Sequence, residues 1–145
     1  MNDNVEIFTD ASIRKFPENR RTFGCSGALN ISDLYESYVI FQDTTNNRAE
    51  LLAIYMGLRL GLKAMLENKA ITHVTLYSDS QFGIFGLTKW IDVWMMNRDA
   101  NGVMYGSNRQ PVKNQDIFAC ILNFIVHNRM PVKFLHCSGH VRMTT

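Results

Sequence analysis

Three acidic residues occupy positions from which their side chains could act together. Asp10 follows a short β-prone run, Asp79 follows a second such run, and Glu50 falls in the first turn of a predicted helix. In open α/β sheets, ligands gather at the carboxyl ends of the strands, so these three side chains can converge on one point. Close carboxylates repel one another, and a hard divalent cation that prefers oxygen ligands removes that conflict.

A divalent cation at this point predicts a particular chemistry. Two ions roughly 3.5–4 Å apart would activate a water molecule and stabilise the leaving oxygen of a phosphodiester displacement. Each acidic residue also has a purely structural interpretation. Asn47 and Glu50 have the spacing of a capping box. Asp79 could equally cap a helix, and Asp10 could belong to a turn.

The elements that must position these residues follow from the periodicity of the apolar side chains. Strands are predicted over residues 5–9, 23–31 and 34–42, the last two joined by a tight turn at Ser32-Asp33, and a helix over residues 47–68. Residues 13–22 are charged, contain Pro17 and are predicted to form a loop.

The second half of the chain alternates strands with helices. A strand is predicted over residues 73–77, a helix over 81–94, a protruding loop over 97–110 and a final strand over 132–136. Pro111 is expected to open another helix, because its missing N–H would be unpaired there. The order βββαβααβ predicts an α/β fold in a single domain over residues 1–145. Its five-stranded mixed sheet, three antiparallel strands and then parallel βαβ pairing, is flanked by helices.

Composition narrows the class of protein. The 145 residues are 46% hydrophobic and 19% charged, which is typical of a globular protein in water. No apolar run approaches the roughly 18–20 residues that span a bilayer, and the first residues lack the order of a secretion signal. Three cysteines without CxxC spacing indicate reduced thiols, so we expect a cytoplasmic protein that binds no membrane.

Basic residues are concentrated towards the end of the chain. Residues 1–88 carry 8 basic and 10 acidic residues, whereas residues 89–145 carry 7 basic and 3 acidic residues. A basic part that faces a polyanion explains this distribution, and so does ordinary solvated charge.

The residues around the three carboxylates resemble the carboxylate motifs of the ribonuclease H family. These motifs are Ile7-Phe-Thr-Asp10-Ala-Ser12, Thr44-Thr-Asn-Asn-Arg-Ala-Glu50-Leu and Tyr77-Ser-Asp79-Ser-Gln81. Further matches are Trp90-Ile-x-x-Trp94, Pro111-Val-Lys-Asn114 and Gly139-His140. Six motifs in the family's order, spread over residues 5–141, are far more specific than any one of them.

The resemblance implies an endoribonuclease that cuts the RNA strand of RNA·DNA hybrids by two-metal-ion catalysis and leaves 5′-phosphate and 3′-hydroxyl ends. Asp10, Glu50 and Asp79 would hold two Mg²⁺ ions, for which Mn²⁺ could substitute. His140, on a loop beyond the last strand, would assist proton transfer or product release. A zinc site is not indicated, because one cysteine and two histidines in this region make no complete ligand set. We expect a monomer.

Substrate-binding residues are also implied. Asn46, Asn47 and Gln81 carry amides suited to the minor groove of a hybrid, where the 2′-hydroxyl distinguishes RNA from DNA. Each of them could instead cap a helix. Ser12, in the first motif, is expected to contact the substrate as well.

Other matching residues are expected to face the DNA strand. Thr45 and Asn114 resemble the family's pocket for a DNA phosphate, which favours a deoxyribose strand. Phe82 and Trp90 resemble the aromatic pair that lines the DNA channel, although Phe82 could be a core aromatic. Lys113 is expected to meet a phosphate, so its contribution should weaken with salt.

Residues 94–113 resemble the basic handle of some family members. Arg98 and Arg109 are offset here by Asp99, so a strong contribution from this handle is not expected.

The chain departs from the family pattern in two places. The family's glycine-rich loop after the first Asp is replaced by the charged segment Ile13-Arg-Lys-Phe-Pro-Glu-Asn-Arg-Arg21, so the RNA-strand contacts of that loop cannot be carried over. The family also has a fourth carboxylate that opens a final helix beyond the His. The last acidic residue here is Asp116 and the sequence stops at Thr145, so we expect that helix to be missing from this chain through truncation.

Three alternative functions remain. The first is a weak or inactive hybrid-binding domain that lacks the fourth carboxylate. The second is a DNA-cutting nuclease of the integrase or resolvase type. The amides that could contact 2′-hydroxyls argue against it, because DNA has no 2′-hydroxyls. The third, a purely structural α/β domain, leaves six ordered motifs unexplained.

Overall fold

Five strands form one mixed sheet in the computed structural model, which describes residues 3–137. They are β1 (Asn4–Lys15), β2 (Thr22–Asn30), β3 (Glu36–Gln42), β4 (His73–Ser78) and β5 (Val132–His136). The spatial order is β3-β2-β1-β4-β5. β1, β2 and β3 pair antiparallel, and β4 pairs parallel with both β1 and β5. The predicted sheet is thereby confirmed.

Helices connect and cover the strands. They are α1 (Asn46–Glu67), α2 (Gln81–Phe85), α3 (Ile91–Met96) and α4 (Gln115–His127), with a π-helical turn over Gly86–Trp90 between α2 and α3. The helix predicted over residues 81–94 is therefore confirmed as one helical segment with a π turn in its middle. Within residues 3–137, no helix is both long and apolar enough to cross a bilayer.

The core lies between α1 and one face of the sheet. Its fully buried side chains come from β1, β4, α1 and α4, and include Ile7, Leu76, Ile54 and Phe118. Gly57 allows the helix to approach closely, because a Cβ at this position would lie 2.7 Å from Thr9 Cγ2 and 2.9 Å from Leu76 Cδ1. The backbone of α1 thus rests almost directly on β1 and β4.

A buried hydrogen bond fixes the beginning of the same helix. The hydroxyl of Ser26 on β2 donates to the carbonyl oxygen of Ala49 at 2.6 Å. Both residues are buried. Because Ala49 precedes Glu50, this bond ties the position of the Glu50 backbone to β2.

The first strand is longer than the sequence pattern predicts. β1 was expected to end before Asp10, with a loop over residues 13–22, but it continues to Lys15 and pairs with β2 as far as Thr22. Only residues 16–21 connect the two strands. The prediction was wrong because a strand whose side chains are exposed can be as polar as a loop, so polarity alone did not distinguish the two. The tight turn at Ser32-Asp33 likewise proves to be part of a longer connection, over residues 31–35.

Pro111 does not open a helix. It forms an isolated β-bridge with Tyr105, and α4 begins only at Gln115, after Asn114 in the left-handed region with φ 61°. The expectation failed because this segment pairs with the preceding loop, where the Val112 N–H donates to the Met104 carbonyl oxygen at 3.0 Å. The expectations for His140 and for a final helix concern residues outside those that the structure describes.

Replacing Gly57 with Ala is expected to destabilise the protein by about 1–3 kcal/mol, because the added methyl group must displace Thr9 and Leu76. Helix propensity alone favours Ala by roughly 0.5–1 kcal/mol, so the two effects have opposite signs. Denaturant unfolding measures the result. Leu66→Ala, at an exposed site on the same helix, is the control. A more stable Gly57→Ala variant would show that the helix is not pressed against the sheet.

Candidate active site

Asp10 and Asp79 come from neighbouring parallel strands. The register of β1 with β4 pairs Phe8 with Tyr77. Asp10 lies two residues beyond Phe8, and Asp79 directly follows the last residue of β4, so both lie just past the end of this pairing, at the carboxyl end of β4. Asp10 is not a turn residue. It lies within β1, opposite Gly27 of β2.

Glu50 lies close to both aspartates. Partial burial raises the pKa of Glu50, and the negative charges of Asp79 and Asp10 raise it further. Two hydrogen bonds act in the opposite direction, from the Ser80 hydroxyl and from Asn46, whose Nδ2 donates to Glu50 Oε1 at 3.0 Å. The three predicted carboxylates therefore share one edge of the sheet and interact electrostatically.

The structural interpretations of these residues are wrong. α1 is capped by Thr45, whose hydroxyl accepts from the Arg48 N–H, so Asn47 and Glu50 form no capping box. α2 is capped by Ser80 and not by Asp79. Neither Glu50 nor Asp79 supplies the cap of a helix.

Ser80 is a site residue that the sequence analysis missed. Its buried hydroxyl accepts from the Gly83 N–H at 2.9 Å and donates to Glu50. Gly83 makes room for it, because a Cβ there would lie 3.0 Å from Ser80 Oγ. The Ser-x-x-Gly spacing after Asp79 was the available signal, since an N-cap serine binds the N–H three residues later.

The donor set suits a hard divalent cation. Three carboxylates from β1, α1 and the end of β4 supply oxygen ligands only. Among residues 3–137, no three His, Cys, Asp or Glu side chains are arranged so that together they could bind a metal ion. The negative charges of Asp79 and Asp10 nevertheless contribute, after burial, to the raised pKa of Glu50. Close carboxylates repel one another, and a bound cation would offset that repulsion.

Polar side chains surround the acids. Asn46 and Asn47 are exposed in the first turn of α1, and Gln81 is exposed at the start of α2. Ser12 is exposed two residues beyond Asp10 on the same face of β1. His136, at the end of β5, places its Nε2 3.2 Å from the backbone oxygen of Asp79.

Thr45 and Asn114 are brought together by an arginine that the sequence analysis did not single out. Arg48 donates its backbone N–H to Thr45 Oγ1 at 3.3 Å and its Nη1 to Asn114 Oδ1 at 3.2 Å. The same guanidinium binds both carboxylate oxygens of Asp116, at 3.0 and 2.6 Å, and this bonding lowers the pKa of Asp116. With its Oδ1 engaged, Asn114 keeps its Nδ2 donors for a ligand.

Phe82, Trp90 and Lys113 line one groove of about 650 Å³ beside α2. Its other wall is the loop between α3 and α4, which contributes Asn108 and Gln110. Trp90 is 42% exposed, which suits a ligand-binding aromatic. Phe82 is partly buried and packs edge-on against Phe118, with ring centroids 5.4 Å apart, so it belongs to the core and to the groove at once.

The loop between α3 and α4, the counterpart of the handle, is held by side-chain amide and carboxylate groups. Gln115 accepts from the Met104 N–H at 2.8 Å and donates to the carbonyl oxygens of Met104 and Val112. Asp99 accepts from the backbone N–H groups of Asn101 and Val103, both at 2.9 Å. The loop is thus ordered by its own polar contacts.

Similar folds occur among solved structures. A foamy viral protease-reverse transcriptase in complex with dsDNA matches with a TM-score of 0.69 and 17% identity over 96% of this chain and 84% of that chain. LC11-RNase H1 in complex with an RNA/DNA hybrid matches with a TM-score of 0.60 and 18% identity over 92% of this chain and 85% of that chain. At these identities the likeness establishes the fold, a mixed α/β sheet of the RNase H type.

Sequence comparisons identify the family. The RNase H family model matches residues 2–144. The ribonuclease H of Haemophilus influenzae strain 86-028NP is 35% identical over 142 residues, which cover 97% of this chain and 80% of that protein. The ribonuclease H of Lachnoclostridium phytofermentans is 31% identical over 141 residues, covering 94% of this chain and 80% of that protein. The chain belongs to the RNase H family.

Gln115→Leu is expected to loosen the loop between α3 and α4, because Leu fills a similar volume but makes none of the three amide hydrogen bonds. Limited proteolysis should cut within residues 97–114 several times faster than in the parent protein. Asn123→Leu, at an exposed site on α4, is the control. Unchanged cleavage rates would show that the loop is ordered without Gln115.

Proposed function

We propose that this chain hydrolyses the RNA strand of RNA·DNA hybrids, with Asp10, Glu50 and Asp79 as ligands of two divalent metal ions, Mg²⁺ or Mn²⁺. The observation that carries the proposal is the meeting of these three carboxylates at one sheet edge in a chain of the RNase H family. Enzymes of this family are hydrolases that generally use divalent metal ions. The displacement by water leaves 5′-phosphate and 3′-hydroxyl ends.

Bound at this edge, the two ions would lower the pKa of a water molecule and offset the charge of the leaving oxygen. The chain's own residues supply the positioning. Ser80 and Asn46 hydrogen-bond Glu50 and keep its carboxylate oriented. The close packing of α1 at Gly57 prevents Glu50 from drifting away from Asp10. His140 is proposed to assist proton transfer or product release, as its motif in the family implies.

Recognition of the hybrid is proposed to be divided between two sides of the carboxylates. Asn46, Asn47 and Gln81, exposed beside the acids, would bind the minor groove and its 2′-hydroxyls, with Ser12 contacting the RNA strand. On the other side, Thr45 and Asn114 would bind a DNA phosphate, because Arg48 leaves the amide donors of Asn114 free for an anion.

The groove beside α2 is proposed to take the DNA strand. Trp90 offers an exposed ring for sugar or base contact, Phe82 forms the floor, and Lys113 would meet a phosphate. The working unit is proposed to be a monomer. Free thiols at Cys25, Cys120 and Cys137 suit a cytoplasmic protein.

Asp10→Asn tests the proposal directly. The variant should lose hybrid cleavage by a factor on the order of 10²–10³, because a metal ligand that stabilises transition-state charge is removed. The assay uses an end-labelled RNA·DNA hybrid with Mg²⁺, Mn²⁺ or EDTA, and duplex DNA and duplex RNA as controls. Asp92→Asn, at an exposed site on α3, is the matched variant and should cut normally. Metal-independent cutting, or full activity of Asp10→Asn, would refute the assignment.

Gln81→Ala tests the reading of 2′-hydroxyls. Hybrids are prepared with a single deoxyribose at successive positions near the cut. At the position that Gln81 contacts, the deoxy substitution should lower kcat/KM of the parent enzyme roughly 2- to 10-fold, because one hydrogen bond is lost. The same substitution should leave kcat/KM of Gln81→Ala unchanged, because the variant already lacks that hydrogen bond. If parent and variant respond alike at every position, Gln81 contacts no 2′-hydroxyl.

A further inference from the structure

The turn that carries Asp79 is held on one side by its own serines and by α2. β4 ends at Ser78 and α2 begins at Gln81, so the turn consists of Asp79 and Ser80 alone. The Ser80 N–H donates to Ser78 Oγ at 3.0 Å, and the Ser80 hydroxyl accepts from the Gly83 N–H at 2.9 Å. Both serines are buried. These contacts fix the Ser80 half of the turn.

Strand β5 holds the other half of the turn through a side chain. The pairing of β4 with β5 ends at Ser78 and His136, and the Cys137 N–H donates to the Ser78 carbonyl oxygen at 2.9 Å. Asp79 lies one residue beyond this pairing, and its carbonyl oxygen is 3.2 Å from Nε2 of His136. The imidazole therefore extends the contact between the two strands to the residue of the turn that carries a carboxylate.

The partner of this imidazole determines which of its nitrogens carries the proton. A carbonyl oxygen only accepts hydrogen bonds, so the hydrogen bond to Asp79 requires an N–H at Nε2 of His136. The ring of Phe85, on α2, lies beside the imidazole, with centroids 6.1 Å apart and planes inclined at 53°. Phe85 in turn packs edge-on against Trp90 at 6.0 Å. His136 is exposed, yet it contacts both the turn and the helix that follows it.

The hydrogen bond acts on the backbone from which the Asp79 carboxylate extends. The Asp79 carbonyl belongs to the peptide unit that joins Asp79 to Ser80, so a bond to this oxygen restrains ψ of Asp79. The carboxylate carbon is only two bonds from Cα, and a shift of this backbone therefore moves the carboxylate oxygens. Metal ligands must meet their distances to within about 0.2 Å. Groups that orient metal ligands without touching the metal change its affinity by roughly 10- to 100-fold.

We propose that His136 is a positioning residue of the metal site: its Nε2–H bond to the Asp79 carbonyl oxygen holds the turn after β4 and strengthens the binding of divalent ions. This inference rests on the proposed function, which makes Asp79 a metal ligand. It goes beyond that function because His136 acts on the ion only through the backbone of Asp79.

His136→Leu, His136→Gln and His127→Leu test the inference. Mn²⁺ binding to the protein without nucleic acid is measured from the EPR signal of the free ion. His136→Leu has no donor and should bind Mn²⁺ about 3- to 10-fold more weakly, because one hydrogen bond is lost. His136→Gln, whose amide donates from a similar position, should stay within about 2-fold of the parent. His127→Leu, the same change at an exposed histidine in the last turn of α4, should match the parent.

A polar variant and a measurement on the parent protein make the test independent of how well His136→Leu folds. The amide of His136→Asn is one methylene shorter than that of His136→Gln and does not reach Asp79, so this variant should show the same loss of Mn²⁺ affinity as His136→Leu. In the parent protein, ¹⁵N NMR at a pH where imidazoles are neutral should show the His136 proton on Nε2.

Three results would overturn the inference. The first is Mn²⁺ affinity equal to that of the parent in His136→Asn, and in His136→Leu where it folds. The second is an affinity of His136→Gln as low as that of His136→Asn, which would show that a donor at this position does not matter. The third is an imidazole proton on Nδ1, because the hydrogen bond to Asp79 would then not exist.

Cleavage kinetics give a second readout. In hybrid cleavage, His136→Asn should need about 3- to 10-fold more Mg²⁺ for half of its maximal rate and reach a kcat within about 3-fold of the parent at saturating Mg²⁺, because the metal ligands themselves are intact. A loss of kcat that saturating Mg²⁺ does not restore would contradict a role limited to positioning.

Asp79→Asn separates this inference from the proposed function. The variant should bind Mn²⁺ at least as weakly as His136→Asn, because it lacks a ligand. If Asp79→Asn binds Mn²⁺ like the parent, the metal-site assignment fails, and this inference fails with it. If Asp79→Asn binds weakly and His136→Asn does not, only this inference fails. If the parent binds Mn²⁺ but cuts no hybrid, the proposed activity fails, and the Mn²⁺ affinities still decide the role of His136.

Discussion

The close packing of α1 against the sheet is the constraint on which the site depends. Gly57 lets the helix backbone rest on Thr9 and Leu76, and the Ser26 hydroxyl binds the Ala49 carbonyl oxygen at 2.6 Å. These contacts leave α1 little freedom to slide or tilt. Glu50 follows directly after Ala49, so core packing sets the position of its backbone relative to β1.

That rigidity holds together groups that repel one another. Burial and the charges of Asp79 and Asp10 raise the pKa of Glu50, which means that the folded protein disfavours the ionised form of this carboxylate. Hydrogen bonds from Ser80 and Asn46 offset part of the cost. A cluster of this kind gains from a cation, because the cation turns mutual repulsion into shared attraction.

Different kinds of polar group lie on the two sides of the carboxylates. The loop between α3 and α4 engages Asp99 and Gln115 in its own structure, and its wall of the groove presents amides and Lys113. On the opposite side, the β1–β2 hairpin carries exposed cations.

Sequence alone determined the order of strands and helices along the chain, the mixed sheet and the long helix, and it selected three acids as candidate metal ligands, because these depend on periodicity and on local motifs. It did not determine the length of β1, the start of α4 or the caps of α1 and α2. Those features depend on partners distant in sequence: Lys15 pairs with Thr22, and Gln115 binds Met104. Ser80 and Arg48 acquire their roles only when Glu50 and Asn114 are brought beside them. A sequence pattern indicates which local structure one segment favours. Hydrogen bonds and charge interactions between distant segments form only after folding has brought those segments together.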